Sequence, residues 1–157
     1  MLPATSVTWL FPLALVVHVA GVVVWMGAVA YYLFVLRPAL HRSGLERKAT
    51  YPLLVAIKAR LRRVVGASIV ALVASGLYLA RTRGLIGPHR WATATDRAVF
   101  AWKMVVVAAL IGIFLSAFAV LARVKTPRVR GRLFVAIHVV VLILGLTAAA
   151  LGVLLAV

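Results

Sequence analysis

The chain of 157 residues is 66% hydrophobic, with a mean hydropathy of +1.15, 18 Lys and Arg against 2 Asp and Glu, and no cysteine. The lack of cysteine excludes disulfides, thiolate metal sites and cysteine nucleophiles, and two acidic residues are too few for paired-carboxylate hydrolysis or a carboxylate-rich metal cage. A net charge of +16 would favour nucleic acid on a soluble fold, but here the basic residues lie between long apolar blocks, which indicates a membrane protein with no nucleic-acid partner.

Four apolar blocks are each long enough for the roughly 20 residues that a helix needs to cross the hydrocarbon layer. They predict transmembrane helices over residues 9–36, 62–80, 99–121 and 133–157. No alternation typical of a β-barrel is visible, so the predicted fold is all-α, a four-transmembrane-helix bundle in one domain over residues 1–157. The connection at 37–61 ends in an apolar and basic stretch, which predicts an extension of the second helix beyond the membrane.

The distribution of Lys and Arg predicts the orientation in the bilayer. Basic residues are dense in the first and third connections, and there are none before the first span or after the fourth. These two connections are therefore expected in the cytoplasm, with both termini outside, as in a multi-pass protein of a bacterial inner membrane. The N-terminus lacks the basic region of a signal peptide, so the first span is expected to remain in the mature protein.

His18 lies about nine residues inside the first predicted helix, roughly 13 Å from its outer end, where an ionisable group is costly. Its helix face continues through Gly21, Trp25, Ala28 and Tyr32. A small residue followed by a tryptophan would suit a flat aromatic macrocycle beside an axial histidine ligand. Alternatively, His18 hydrogen-bonds across a helix interface and Gly21 only permits close packing.

Lys103 follows Trp102 and lies roughly 7 Å inside the third helix, in the same outer half of the bilayer as His18. One interpretation is an interfacial anchor whose amine reaches the headgroups, and the other is a neutral amine available as a metal ligand or proton carrier.

His138 lies roughly 8 Å inside the fourth helix from the cytoplasmic side, and Gly145 and Gly152 follow it on a stripe expected to face neighbouring helices. His138 would either approach His18 or serve a second, inner site, whereas His41 and His89 are expected in solvated loops.

Several short motifs resemble one membrane family in their order and spacing. The stretch H-V-A-G-V-V-V-W-M-G at 18–27 with Arg37-Pro38, the S-G-L at 75–77 and the W-K-M at 102–104 resemble the CopD-like four-helix proteins over nearly the whole chain. The His-x6-Trp pattern with a membrane lysine is also similar to HemJ-type protoporphyrinogen oxidases, although the Tyr-His pair of that pattern is missing. The resemblance implies haem binding by His18 and Lys103, with the haem propionates near the arginines of the second connection. These are Arg81, Arg83, Arg90 and Arg97.

These observations leave three functional hypotheses. The first is a protein that binds b-type haem, with His18 as the metal ligand and Trp25, Lys103, His138, Arg81 and Arg97 around the cofactor, and that exchanges electrons with a quinone or a partner protein. Whether it would be an enzyme or an electron carrier is left open. The second is a cofactor-free structural or assembly subunit of a larger membrane complex. The third is copper import, which the family name suggests but which the three methionines and missing cysteines do not favour.

Overall fold

The computed structural model describes residues 9–44, 46–87 and 92–155, and within these ranges it contains helices and no strand. The helices are α1 (Leu10–Ala30), a π-helical segment (Tyr31–Leu36), α2 (Arg37–Arg42), α3 (Arg47–Thr82), α4 (Ala94–Arg123) and α5 (Pro127–Leu154). The π-helical segment and α2 continue α1 without a break, and these three together are called rod 1 below. With α3, α4 and α5 they form the four rods of the bundle. The predicted all-α, four-helix fold is confirmed.

Each of the four rods is long and apolar enough to cross a membrane, which indicates a multi-pass protein in a lipid bilayer. The stretches that meet this criterion are Leu10–Arg42, Thr50–Thr82, Ala94–Arg123 and Arg128–Leu154. Large apolar side chains point outward on all four, as expected where hydrocarbon rather than water surrounds the bundle. Among them are Phe34, Val70, Trp102, Leu115 and Ile143.

The helices extend beyond the predicted apolar spans, most of all before the second span. α3 begins at Arg47 instead of residue 62, and rod 1 runs to Arg42, so little of the predicted connection at 37–61 is non-helical. The apolar and basic stretch over residues 53–63 is helical and continuous with the second span, as predicted, and His41 lies exposed on α2 instead of in a loop. Hydropathy marks where a helix enters hydrocarbon, whereas Lys, Arg, Leu and Ala sustain it further into the polar region.

Local signals in the connections determine where two of the helices begin or end. At the start of α4, the Thr93 hydroxyl accepts a hydrogen bond from the Asp96 N–H at 3.1 Å, and the Thr93 N–H donates to the Asp96 carboxylate at 3.0 Å. This reciprocal pair is a capping box and explains why α4 begins before the predicted residue 99. α3 ends at Thr82. Just beyond it, Gly84 adopts a φ of 65° and the Leu85 N–H donates to the Ala80 carbonyl at 2.9 Å, which turns the chain away from the helix axis.

The rods form two packed pairs, rod 1 with α3 and α4 with α5, and rod 1 also contacts α5. Among the described residues, the Cα atoms of α3 and α4 stay more than 8 Å apart, so these two helices meet through side chains and not through close backbone contact. The bundle end with the start of α1 and the ends of α3 and α5 is called the terminal end, and the opposite end is called the loop end. Between them lies a core of Trp25, Val29, Val65, Leu110 and Val141.

Glycines bring the rods together at two points of this core. A methyl group at Gly21 would lie 2.8 Å from Leu72 Cγ, and one at Gly145 would overlap the thioether of Met26. The predicted contact of the Gly145 stripe with neighbouring helices is confirmed, because Met26 of rod 1 covers Gly145 and Lys103 of α4 covers Gly152. Small residues are typical where membrane helices pack closely.

Candidate functional site

His18 faces α3 and forms a hydrogen bond with Ser75. The His18 Nδ1 lies 3.1 Å from the Ser75 Oγ. The Ser75 hydroxyl donates its only hydrogen to the Ala71 carbonyl at 2.6 Å, so its oxygen accepts from His18. The carbonyl of Leu72 is a further acceptor beside the ring. This network assigns the imidazole proton to Nδ1 and leaves the lone pair of Nε2 available.

The surroundings of His18 are set by two glycines with different neighbours. The imidazole lies against Gly76 of α3, where an added methyl group would be 3.1 Å from His18 Cε1. On the side of Gly21, where the first interpretation of His18 expects a flat macrocycle, the Leu72 side chain fills the space. Gly21 therefore has the close-packing role of the second interpretation, because a glycine gap against an adjacent helix is filled by a side chain of that helix.

Lys103 lies at the terminal end, where its half-buried side chain packs against α5. Its Nζ is 2.9 Å from the position a methyl group would take on Gly152 of α5. Lys103 shares this end of the bundle with His18, and Gly152 precedes by one helical turn Leu155, the residue of α5 that Arg83 contacts. Among the described residues neither Lys103 Nζ nor His18 Nε2 has a hydrogen-bond partner, and since no such atom is fully enclosed, both border open space.

Arg83 completes this group of polar side chains. Its guanidinium donates to the Leu155 carbonyl at the end of α5 and lies 5.7 Å from the centre of the Phe11 ring on α1. We call His18, Ser75, Arg83 and Lys103 the terminal cluster. The sequence analysis named Arg83 among the arginines expected near the haem propionates, but it quoted Ser75 only within the S-G-L motif and gave it no role at the site. Arg83 follows Ser75 by two helical turns, on the same side of α3.

Arg81 and Arg97, the two arginines that the haem hypothesis grouped around the cofactor, lie away from the terminal cluster. Arg81 is exposed. Arg97 donates to the Ala92 carbonyl at 2.9 Å and holds the turn before α4. Arg90 and His89 lie outside the described residues. Of the arginines of the second connection, the structure therefore brings Arg83 to Lys103, and the expectation that Arg81 and Arg97 face the cofactor site has no support in these contacts.

A cavity of about 160 Å³ lies at the loop end, and all four rods line it. Ala28 of rod 1, Val65 of α3, Ala117 of α4 and His138 of α5 are among its walls. Trp25, which the sequence interpretation grouped with His18, lines this cavity as well and is 8% exposed. Trp25 therefore belongs to the core and lies near His138. It is seven residues after His18 on α1, two helical turns closer to the loop end.

His138 is the polar residue at the centre of an aromatic group in this loop-end cavity. Its Nδ1 donates to the Phe134 carbonyl at 2.7 Å, because a carbonyl can only accept. Its ring lies 4.2 Å from the Phe134 ring and 4.8 Å from that of Tyr32, and Lys58 lies 5.0 Å above Phe134. In the neutral ring, Nε2 is an acceptor, and it has no hydrogen-bond partner among the described residues.

The two membrane histidines thus belong to separate sites, His18 to the terminal cluster and His138 to the loop-end cavity, with the apolar core between them. A site joining the two imidazoles does not fit this arrangement, and the predicted second site for His138 does. Across the described ranges, no group of three or more His, Cys, Asp or Glu side chains is arranged to hold a metal ion.

Comparison of the chain with protein-family models, with curated proteins and with solved structures gives no match. The resemblance to the CopD-like and HemJ-type proteins therefore stays a prediction from the motifs at 18–27, 75–77 and 102–104. Any functional conclusion depends on the terminal cluster and the loop-end cavity themselves.

Proposed function

We propose that the protein is a membrane redox protein that binds a b-type haem at the terminal end, with the His18 Nε2 as an iron ligand. The observation that carries the proposal is the pairing of His18 and Lys103. Ser75 fixes the proton on the His18 Nδ1, which leaves Nε2 as a donor atom, and the Lys103 amine, packed against Gly152, lies at the same end of the bundle on the opposite helix pair. Hydrogen bonding of the second ring nitrogen is how proteins commonly orient a ligating histidine.

The donor set fits a haem iron, and the packing restricts where the macrocycle would lie. Leu72 excludes the Gly21 side of His18. The loop-end cavity of about 160 Å³ is also too small, because a cavity of about 150 Å³ holds a single benzene ring. We place the macrocycle between the two helix pairs beside Lys103, where Arg83 supplies positive charge for carboxylate groups.

Bound haem would supply a one-electron couple whose potential depends on the axial ligands and on burial. The residues of this chain would orient the ligand through Ser75, balance charge through Arg83 and Lys103, and keep water out with the apolar core. We propose a quinone or a partner protein as the electron donor or acceptor. The basic loop end is proposed to face the cytoplasm of a bacterial inner membrane, with both termini outside.

The test is an absorption spectrum of the protein purified in detergent from a host supplied with haem precursor. We expect a Soret band and reducible α and β bands, and His18→Ala should abolish them. His41→Ala is the matched control, because His41 is exposed on α2. Free imidazole added to His18→Gly should restore the bands if the ring is the ligand. Bands that persist unchanged in the His18 variants would refute the assignment.

A cofactor-free structural or assembly subunit is the second candidate, and one observation favours it. The His18–Ser75 hydrogen bond and the contact of the imidazole with Gly76 are what a packing histidine would also make. This candidate predicts a colourless protein whose Ser75→Ala variant loses stability and nothing else. Copper import has less support than either, since no cluster of metal-binding side chains is found in the described ranges; stoichiometric copper without haem would favour it.

A further inference from the structure

The loop-end cavity has a feature that simple helix packing does not require. Rod 1 changes from α to π geometry over Tyr31–Leu36, beside the cavity, and Tyr32 of this segment contacts both Phe134 and His138. A π segment weakens the regular hydrogen bonding of a helix and is frequently found at functional sites. Here its effect is to place the Tyr32 ring 5.0 Å from that of Phe134, at an interplanar angle of 76°.

The walls of the cavity define the chemistry of an occupant. Aromatic and aliphatic side chains form most of the lining. Its polar residues are Tyr32, Lys58, Arg62 and His138, and the Nε2 of a neutral His138 ring is an acceptor. An occupant must therefore present a hydroxyl or other donor to this nitrogen on an otherwise apolar ring. At Nε2 itself a hydroxyl is preferred over an anionic oxygen, because the oxygen would face a lone pair. Lys58 and Arg62, which also line the cavity, would attract an anion elsewhere in it, so the test below includes an anionic lipid.

The size and the opening define the shape of the occupant. A volume of about 160 Å³ holds one six-membered ring, by comparison with the cavity of about 150 Å³ that binds benzene. Leu61 and Val65 of α3 and Ile113 and Ala117 of α4 line the cavity, and no close backbone contact joins these two helices, so a long substituent on the ring would leave between them. Lys58 lies at the polar rim, 5.0 Å from the Phe134 ring centre.

We propose that the loop-end cavity binds the head of a lipid-soluble quinol, a dihydroxylated aromatic ring with an apolar tail. One ring hydroxyl donates to the His138 Nε2, the ring lies among Tyr32, Phe134 and Trp25, and the tail passes between α3 and α4. This quinol would be the electron donor of the proposed haem protein. Its role in electron transfer therefore rests on the proposed function. The binding itself uses none of the residues of the terminal cluster.

The test is equilibrium binding of a benzoquinol with a decyl tail to the purified full-length protein, measured by calorimetry under reducing conditions. His138→Leu removes the acceptor and keeps an apolar side chain, so we expect the affinity to fall about tenfold, the upper range for one hydrogen bond. Ala117→Leu should abolish binding by filling the cavity. His41→Leu, at an exposed position on α2, should leave the affinity unchanged. Helicity and elution volume report whether each variant is folded.

A chemical control distinguishes the contribution of the hydrogen bond from nonspecific hydrophobic binding. The dimethyl ether of the same quinol cannot donate, so its affinity for the unaltered protein should equal that of the quinol for His138→Leu. Equal affinity of quinol and ether for the unaltered protein would overturn the proposal. A second result would also overturn the proposal: stoichiometric phosphatidylglycerol displaces the quinol from the unaltered protein but not from Lys58→Met. This result would indicate a site for an anionic lipid.

The binding measurement in His18→Ala distinguishes this inference from the proposed function. Quinol binding retained in a protein that never shows haem bands would refute the haem proposal alone. Haem bands in a protein that does not bind the quinol would refute the quinol proposal alone.

Discussion

Gly76→Ala tests whether the His18 imidazole lies against the backbone of α3. The new methyl group would be 3.1 Å from His18 Cε1 and 3.5 Å from Nδ1. Ordinary carbon–carbon contacts are about 3.5–4.0 Å, so the ring must move by several tenths of an ångström. Such overpacking costs about 1–3 kcal/mol, whereas replacing a helical glycine by alanine gains about 1 kcal/mol. We expect a net change in the free energy of unfolding from near zero to a loss of about 2 kcal/mol.

Gly66→Ala is the matched control on the same helix. Nothing lies within 4 Å of a methyl group at Gly66, so this variant should be neutral or gain up to about 1 kcal/mol. The difference between the two variants, about 1–3 kcal/mol, isolates the contact with His18. Unfolding would be followed by circular dichroism as a denaturing detergent is titrated into mixed micelles.

A double-mutant cycle identifies the partner in this contact. In the His18→Ala background the ring is gone, so Gly76→Ala should behave like Gly66→Ala, within about 0.5 kcal/mol. If Gly76→Ala stays destabilising without the imidazole, or if it equals Gly66→Ala in the unaltered protein, the contact described for His18 is refuted. Either result would also remove the basis for a free Nε2, because the ring would then have another orientation.

Two further predictions concern packing and capping, each with a matched control. Gly145→Ala should destabilise the bundle by about 1–3 kcal/mol because the methyl group overlaps Met26, and Met26→Ala in the same chain should recover most of the loss; Gly112→Ala, with nothing within 4 Å, should not destabilise. A Gly145→Ala variant as stable as Gly112→Ala would contradict this contact. Thr93→Ala should cost about 1 kcal/mol by removing the capping box of α4, whereas Thr126→Ala should cost little, since the Thr126 side chain caps nothing in α5. Equal losses in these two variants, in the same detergent titration, would refute the capping role.

The sequence was sufficient for the architecture because the hydrocarbon layer imposes it. A chain with four long apolar blocks must satisfy its backbone groups inside each block, and a helix does so whatever its neighbours are. The level of a polar residue also follows from counting along the helix, which is why His18 and Lys103 were expected in the same half of the bilayer, and both lie at the terminal end of the bundle. The helix ends were less predictable, because helices continue beyond the apolar span into the polar region.

The pairing of side chains required the tertiary structure. Hydropathy does not specify which faces of two helices meet, so it could not show that Leu72 fills the gap at Gly21 or that Ser75 accepts from His18. Arg83, not Arg81 or Arg97, reaches the terminal cluster because the ends of α1, α3 and α5 meet there. The composition of the chain decided that it forms apolar rods; the rotation of each rod about its axis, set by the fit of small and large side chains, decided which polar atoms face each other and which face a cavity.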